Sequence, residues 1–179
     1  MAKAREIPGL SAEDSYADAA AKIVEVRAQE LADHAGGVLD TGDIERVHDM
    51  RVATRRLRAT LEIFEACFPR KRLEAGLGEV RDLADALGER RDRDVAIATL
   101  EGLPSKLPAP DRAGIESLVD RLRDEQRRAN EELARYVAPD HLESLNGQLR
   151  ELVAEARAVS PEDHRAEAPR GSQTDGTGE

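Results

Sequence analysis

Apolar residues recur every three or four positions along most of the chain, and this spacing predicts amphipathic helices. A first helix is predicted from Ala12 to about Ala35, where Gly36 and Gly37 signal its end. One side of this helix carries small and aliphatic residues: Ala17, Ala21, Val24, Ala28, Leu31 and Ala35. The pattern therefore predicts that this side is buried.

A second helix is predicted from about Asp43 to Phe68. Residues 40–43, Asp-Thr-Gly-Asp, have the turn and N-cap chemistry that starts a helix. Pro69 ends it, because the residue before a proline disfavours the helical conformation.

Three further helices are predicted after Pro69. The third starts near Lys71 and reaches Leu100, and Gly88 within it is interpreted as either a kink or a close helix crossing. Residues 101–110 contain three prolines and a glycine, which predicts a loop. The fourth helix is predicted over about Asp111 to Val137, and the fifth follows Pro139.

The composition favours an all-α fold, a helical bundle of about five helices. Hydrophobic residues make up 40% of the chain but aromatic residues only 2%, which is typical of helix bundles rich in alanine and leucine. Cys67 is the only cysteine, so an internal disulfide and a paired-cysteine zinc site are excluded. No signal-peptide core or membrane-spanning apolar run is present, and we therefore expect a cytoplasmic protein that does not bind membranes.

The formal net charge of −10 opposes general binding to nucleic acids and acidic membranes. Any site for a polyanion must therefore be a local concentration of positive charge. The second predicted helix contains such a concentration in the segment at 47–58, which reads VHDMRVATRRLR.

At 100° per residue, one sector of this helix, roughly 80° wide, contains the residues that we name the basic strip: His48, Arg51, Arg55 and Arg58. Apolar residues occupy the opposite side: Met50, Leu57, Leu61 and Phe64. The basic strip is about 15 Å long, which suits several consecutive anionic groups, and guanidinium groups bind phosphate oxygens in pairs. The alternative is a solvated face whose arginines pair with acids of a neighbouring helix. The spacing of the residues alone favours neither a binding site nor a solvated face.

A second charged cluster, Arg-Arg-Asp-Arg-Asp, occupies residues 90–94. Arg81 and Arg91 project from one side of a continuous helix and would extend the cationic surface. We interpret Asp92 and Asp94 as structural residues that orient these arginines or cap the helix. A divalent cation held by the two aspartates is the less favoured alternative.

These two segments together resemble the CHAD family, the conserved histidine α-helical domain. The first motif is the segment at 47–58, and the second is Leu87-Gly88 followed by the Arg-Asp-x-Asp-Val sequence at 91–95. The resemblance implies a helical bundle that binds inorganic polyphosphate. It implies a basic surface formed by His48, Arg51, Arg55, Arg56, Arg58 and Arg91, with Arg81 as a weaker candidate.

The resemblance covers residues 11–159 and corresponds to one half of a full CHAD domain, which contains two related bundles around a basic channel. A homodimer would complete a two-sided channel by symmetry, and a truncated or degenerate member is the alternative. Residues 1–10 are predicted to be a flexible arm and residues 160–179 a disordered tail. Family members accompany polyphosphate enzymes or granules, so a bacterial origin and association with polyphosphate granules are expected.

We therefore expect a polyphosphate-binding module that is not an enzyme and needs no cofactor or metal. The sequence has no Gly-rich phosphate loop, paired nucleophile or convergent carboxylates for phosphoryl transfer. A non-catalytic scaffold that docks an acidic protein partner, in the setting of a polyphosphate granule, is the alternative. Nucleic acid is a less favoured partner because single-strand binding uses aromatic platforms.

Overall fold

Five α-helices follow one another along the chain and confirm the predicted all-α bundle. A computed structural model describes residues 3–103 and 108–158, and within these residues it contains no β-strand. The elements are α1 (Tyr16–Asp33), α2 (Ile44–Ile63), a 3-10 helix (Glu65–Cys67), α3 (Arg70–Glu101), α4 (Ala109–Tyr136) and α5 (Pro139–Ala158).

The first helix begins at Tyr16 and not at the predicted Ala12. Ser15 is the N-cap, and its hydroxyl oxygen accepts a hydrogen bond from the backbone N–H of Asp18 at 3.0 Å. The four residues before Ser15 form a turn in which the N–H of Ser11 donates to the carboxylate of Asp14 at 3.0 Å. The predicted start was wrong because apolar spacing extends beyond the residue that caps the first turn.

The second helix also ends earlier than predicted. Regular α-helix stops at Ile63, and the chain tightens into the 3-10 helix before Phe68 becomes extended, with φ −120° and ψ 147°. This extended conformation is the one favoured before Pro69. The proline was therefore the correct end signal, but it acts on Phe68 and not on the last turn of α2.

The third helix runs through Gly88 without interruption. A Cβ atom built on Gly88 would have no neighbour within 4 Å, so no close helix crossing requires a glycine here. Of the two interpretations of Gly88, the close crossing is therefore wrong, and the kink stays a prediction within an unbroken helix. The α4 helix begins at Ala109, two residues before the predicted Asp111.

Replacing Gly88 with alanine is expected to stabilise the fold by about 0.5–1 kcal/mol, because glycine in a helix interior carries a larger conformational entropy cost than alanine. Chemical denaturation monitored by circular dichroism measures this gain. Gly78→Ala is the matched comparison, since an added Cβ there also has no neighbour within 4 Å and the same gain is expected. A loss of stability at Gly88 alone would contradict the prediction.

The α2 helix lies between α1 and α3, while α3 also packs against α4 and α5, and α1 against α5. Most of the side chains buried between these helices are apolar, and several have relative exposures of 2% or less: Leu31, Met50, Leu57, Leu87 and Leu149. Burial of this apolar surface is the main source of stability in such a bundle. The arrangement covers one side of α2 and leaves the other side to solvent.

Residues 3–15, which precede α1, have no helix or strand but contact α1 through hydrogen bonds. The N–H of Arg5 donates to Glu30 Oε1 at 2.9 Å, and Lys22 Nζ donates to the carbonyl of Gly9 at 2.7 Å. The division of the chain into an arm, a bundle and a tail stays a prediction. The tail predicted over residues 160–179 lies outside the described residues.

Candidate functional site

The rotation of α2 places the basic strip on its solvent side. Arg51, Arg55 and Arg58 are exposed and His48 is half-buried. On the opposite side, residues that include Met50, Leu57 and Leu61 have no exposed surface. The predicted division of α2 into an apolar face and a cationic face is therefore confirmed.

Side-chain hydrogen bonds fix the start of α2 and with it the register of the basic strip. Asp43 is the N-cap, and its carboxylate accepts a hydrogen bond from the N–H of Glu45 at 3.3 Å. In the preceding turn, Asp40 Oδ1 accepts from the N–H of Gly42 at 2.9 Å. These contacts confirm the turn and N-cap chemistry predicted for residues 40–43.

Three of the four residues of the basic strip, His48, Arg51 and Arg55, make no side-chain hydrogen bond or ion pair with another residue in the part of the chain that the structure describes. Each guanidinium group has five N–H donors in a planar fork. The two arginines therefore present their donors to solvent, where an anionic ligand can accept them.

One end of the basic strip meets α3 in a group that we name the Glu62 cluster: Arg58, Glu62 and Arg81. Arg58 Nε donates to Glu62 Oε1 at 3.0 Å, and Arg81 Nη2 donates to the same oxygen at 3.3 Å. The hydrogen bond from Arg58 lowers the pKa of the Glu62 carboxyl, and Arg81 lowers it further. These two effects together outweigh burial, which raises the pKa. Glu62 is therefore a carboxylate at neutral pH, and the cluster carries one net positive charge.

Arg91 lies at the other end of α2 and has a different role. Its side chain is 16% exposed, its Nη1 donates to the carbonyl of Ile44 at 2.7 Å, and its Nη2 lies 3.3 Å from Glu45 Oε1. These contacts hold α3 against the first turn of α2. Both terminal nitrogens of the Arg91 guanidinium therefore already contact α2.

Both motifs lie in the region that matches a known family. The family model described as the CHAD domain matches residues 22–175. The chain belongs to the CHAD domain family. The match includes all of α2, α3, α4 and α5 and most of α1, and its last residues, 159–175, lie outside the described part of the chain. Among curated proteins, none matches the chain.

Arg56 of this CHAD domain does not join the basic strip. Helical rotation places it about 80° from His48 in the direction away from the strip. Its Nη1 lies 3.4 Å from Glu30 Oε1 of α1, and Arg27 Nη1 donates to Glu30 Oε2 at 2.5 Å. Sequence reasoning placed Arg56 with the ligand-binding residues through the family resemblance, and the structure places it between α1 and α2.

A second buried group joins α3 of the CHAD domain to α4, and the sequence analysis did not predict its burial or its contacts with α4. Arg90 has no exposed side-chain surface, and its Nε donates to Asp94 Oδ1 at 2.9 Å, while its Nη1 donates to Asn130 Oδ1. Gln126 Nε2 donates to the same Asp94 oxygen at 2.6 Å. The structural interpretation of Asp94 is thus confirmed. The available signal was the i, i+4 spacing of Arg90 and Asp94 on the side of α3 that also carries Leu87.

The described part of the CHAD domain contains neither a cluster of metal-ligating side chains nor a membrane-spanning helix. Within residues 3–103 and 108–158, no group of three or more His, Cys, Asp and Glu side chains is arranged to hold a metal ion. None of the described helices is both long enough and apolar enough to cross a membrane.

Proposed function

We propose that this CHAD domain binds inorganic polyphosphate along the basic strip and has no catalytic activity. The observation that carries the proposal is the pair of exposed arginines, Arg51 and Arg55, that have no acidic partner among the described residues although the chain has a net charge of −10. Like charges one helical turn apart destabilise a helix slightly. A bound polyanion would remove this repulsion.

The geometry of the basic strip suits an extended polymer. Arg51 and Arg55 are one turn apart, about 6 Å along the helix axis, and Arg58 follows one further turn along the same side. A polyphosphate chain that runs parallel to α2 would meet these guanidinium groups in succession. Each arginine would donate charge-assisted hydrogen bonds to phosphate oxygens, which are among the strongest hydrogen bonds in proteins.

Titration of long-chain polyphosphate into wild type and into a variant with Arg51→Ala and Arg55→Ala tests the proposal. We expect the variant to bind about 10- to 30-fold more weakly at low salt. We also expect the slope of log K against log salt concentration to decrease in magnitude by about one to two. Removal of two free guanidinium groups causes both changes, because fewer counterions are exchanged on binding.

A variant with Arg127→Ala and Arg135→Ala is the matched control. It has the same net charge, and both of these arginines are exposed on α4, paired with Asp124 and Glu132. We expect its affinity to stay within twofold of wild type. Equal losses in both variants would mean that total charge and not the basic strip governs binding. Absence of binding by folded wild type would favour a scaffold whose strip docks an acidic protein.

Further partners stay predictions. We propose polyphosphate rather than single-stranded nucleic acid because helical rotation places Phe64 on the side of α2 opposite the basic strip, where it packs against Tyr16 with ring centroids 4.9 Å apart. A homodimer that completes a two-sided channel, a cytoplasmic location and association with polyphosphate granules are expectations that follow from the family.

A further inference from the structure

The arginines of the basic surface differ in their counterions. Arg51 and Arg55 have none among the described residues, whereas Arg58 and Arg81 share a single carboxylate, Glu62. A polyanion that extends along α2 beyond Arg55 would reach the Glu62 cluster next. At that point the carboxylate and the ligand require the same guanidinium groups.

The ion pairs of the Glu62 cluster are open to solvent. The side chains of Arg58, Glu62 and Arg81 have relative exposures of 45%, 39% and 52%. Exposed ion pairs of this kind contribute little to stability and are weakened further by salt. A multivalent anion can therefore replace the carboxylate without disturbing the packing of α2 against α3.

We propose that Glu62 is a built-in competitor of the anionic ligand, occupying Arg58 and Arg81 until a polyanion that extends beyond Arg55 displaces it. This inference rests on the proposed function and deepens it, because it assigns an affinity-limiting residue to the same site. Displacement of Glu62 also adds Arg81 of α3 to the surface. The ligand is then held between two helices and not by α2 alone.

The opposite end of α2 does not offer the same exchange. Arg91 is only 16% exposed and donates to a backbone carbonyl, that of Ile44, in addition to its contact with Glu45. A ligand that took this guanidinium would leave a helix-terminal contact between α2 and α3 unmade. The bound polymer is therefore expected to extend from His48 toward Arg58 and Arg81.

Glu62→Gln tests the inference because it removes the competing charge and retains a side chain of nearly the same size. With long-chain polyphosphate as the ligand, we expect about 3- to 10-fold tighter binding than wild type. The matched control is Glu132→Gln, which makes the same change in net charge on α4, where Glu132 pairs with the exposed Arg135. We expect the control to change the affinity by less than twofold.

A double-mutant cycle separates direct competition from a general effect of charge. Arg58→Ala is expected to weaken binding more in the Glu62→Gln background than in wild type, because the guanidinium is then free for the ligand. Melting curves of the four proteins check that each is folded.

Equal affinity of Glu62→Gln and wild type, with binding still weakened in the Arg51 and Arg55 variant, would overturn this inference alone. Additive effects of Arg58→Ala and Glu62→Gln would also overturn it. Absence of binding by folded wild type would overturn the proposed function, and the inference with it.

Discussion

Replacing Arg90 with alanine is expected to lower the free energy of unfolding by about 3–5 kcal/mol. The side chains of Arg90 and Asp94 have no exposed surface. Without the guanidinium group, a buried carboxylate would keep a single neutral donor, Gln126. An uncompensated charge in a buried position is one of the few changes that destabilise a protein this strongly.

Urea denaturation monitored by circular dichroism measures the effect of Arg90→Ala. The control is Arg70→Ala, because Arg70 is 91% exposed and its pair with Glu74 is expected to contribute less than about 1 kcal/mol. A double variant, Arg90→Met with Asp94→Leu, removes both charges and should recover much of the loss. If Arg90→Ala behaved like Arg70→Ala, the buried group would have no stabilising role.

Replacing Glu30 with alanine is expected to cost about 3 kcal/mol of folding free energy. The carboxylate is 2% exposed and accepts hydrogen bonds from the side chain of Arg27 and the backbone N–H of Arg5, and it pairs with Arg56. Removal of the carboxylate leaves the segment before α1, α1 itself and α2 without the acceptor that they share. The side chains of Arg27 and Arg56 are 13% and 26% exposed, so water can partly hydrate them after the substitution. The expected cost is therefore near the lower end of the range of about 3–5 kcal/mol for breaking a buried ion pair.

The pH dependence of the Glu30 contribution has a definite sign. Burial alone would raise the pKa of the carboxyl, but the hydrogen bonds from Arg27 and Arg5 and the charges of Arg27 and Arg56 lower it below 4.5, its ordinary value. The folded state therefore holds the proton less tightly than the unfolded state. The stabilisation is complete above pH 4.5 and is lost as the pH falls through the lower folded-state pKa.

The stability difference between wild type and Glu30→Gln should therefore be larger at pH 7 than at pH 3. Glu25→Gln, on the same helix, is the control, because Glu25 is 46% exposed and pairs with the half-exposed Arg157. Its effect should be small at both values. If the stability difference between wild type and Glu30→Gln were the same at pH 7 and pH 3, the ionised carboxylate of Glu30 would have no role in stability.

The predictions for Arg90 and Glu30 concern stability, and those for the basic strip concern binding. In both motifs, arginines that are adjacent in the sequence have different roles. Arg55 and Arg56 are adjacent in the sequence, yet only Arg55 is exposed and without a partner among the described residues. Arg90 and Arg91 are likewise adjacent, and the first is buried between α3 and α4 while the second holds the start of α2. Substitutions within the motifs should therefore divide into those that weaken binding and those that unfold the domain.

The hydrophobic pattern was sufficient to predict the five helices, because helical periodicity is a local property of the chain. Their ends were predicted less well, since Ser15 begins α1 through a hydrogen bond that spacing does not reveal. The separation of α3 from α4 and the start of α5 at Pro139 were also visible, because proline restricts the backbone wherever it occurs.

The sequence by itself determined the composition of the candidate site. A rotation of 100° per residue puts His48, Arg51, Arg55 and Arg58 on one side of α2 and the apolar residues on the other, and this follows from helix geometry alone. The two motifs also identified the family before any contact was known.

Only the tertiary structure decided which arginines are available to a ligand. The neighbouring helix supplies partners that the local sequence does not show: Glu30 of α1 pairs with Arg56, and Asn130 of α4 accepts a hydrogen bond from Arg90. Sharing of Glu62 by Arg58 and Arg81 likewise requires α2 and α3 to be packed side by side. Helical rotation fixes the direction of a side chain, but the group that it meets depends on packing between segments distant in the sequence.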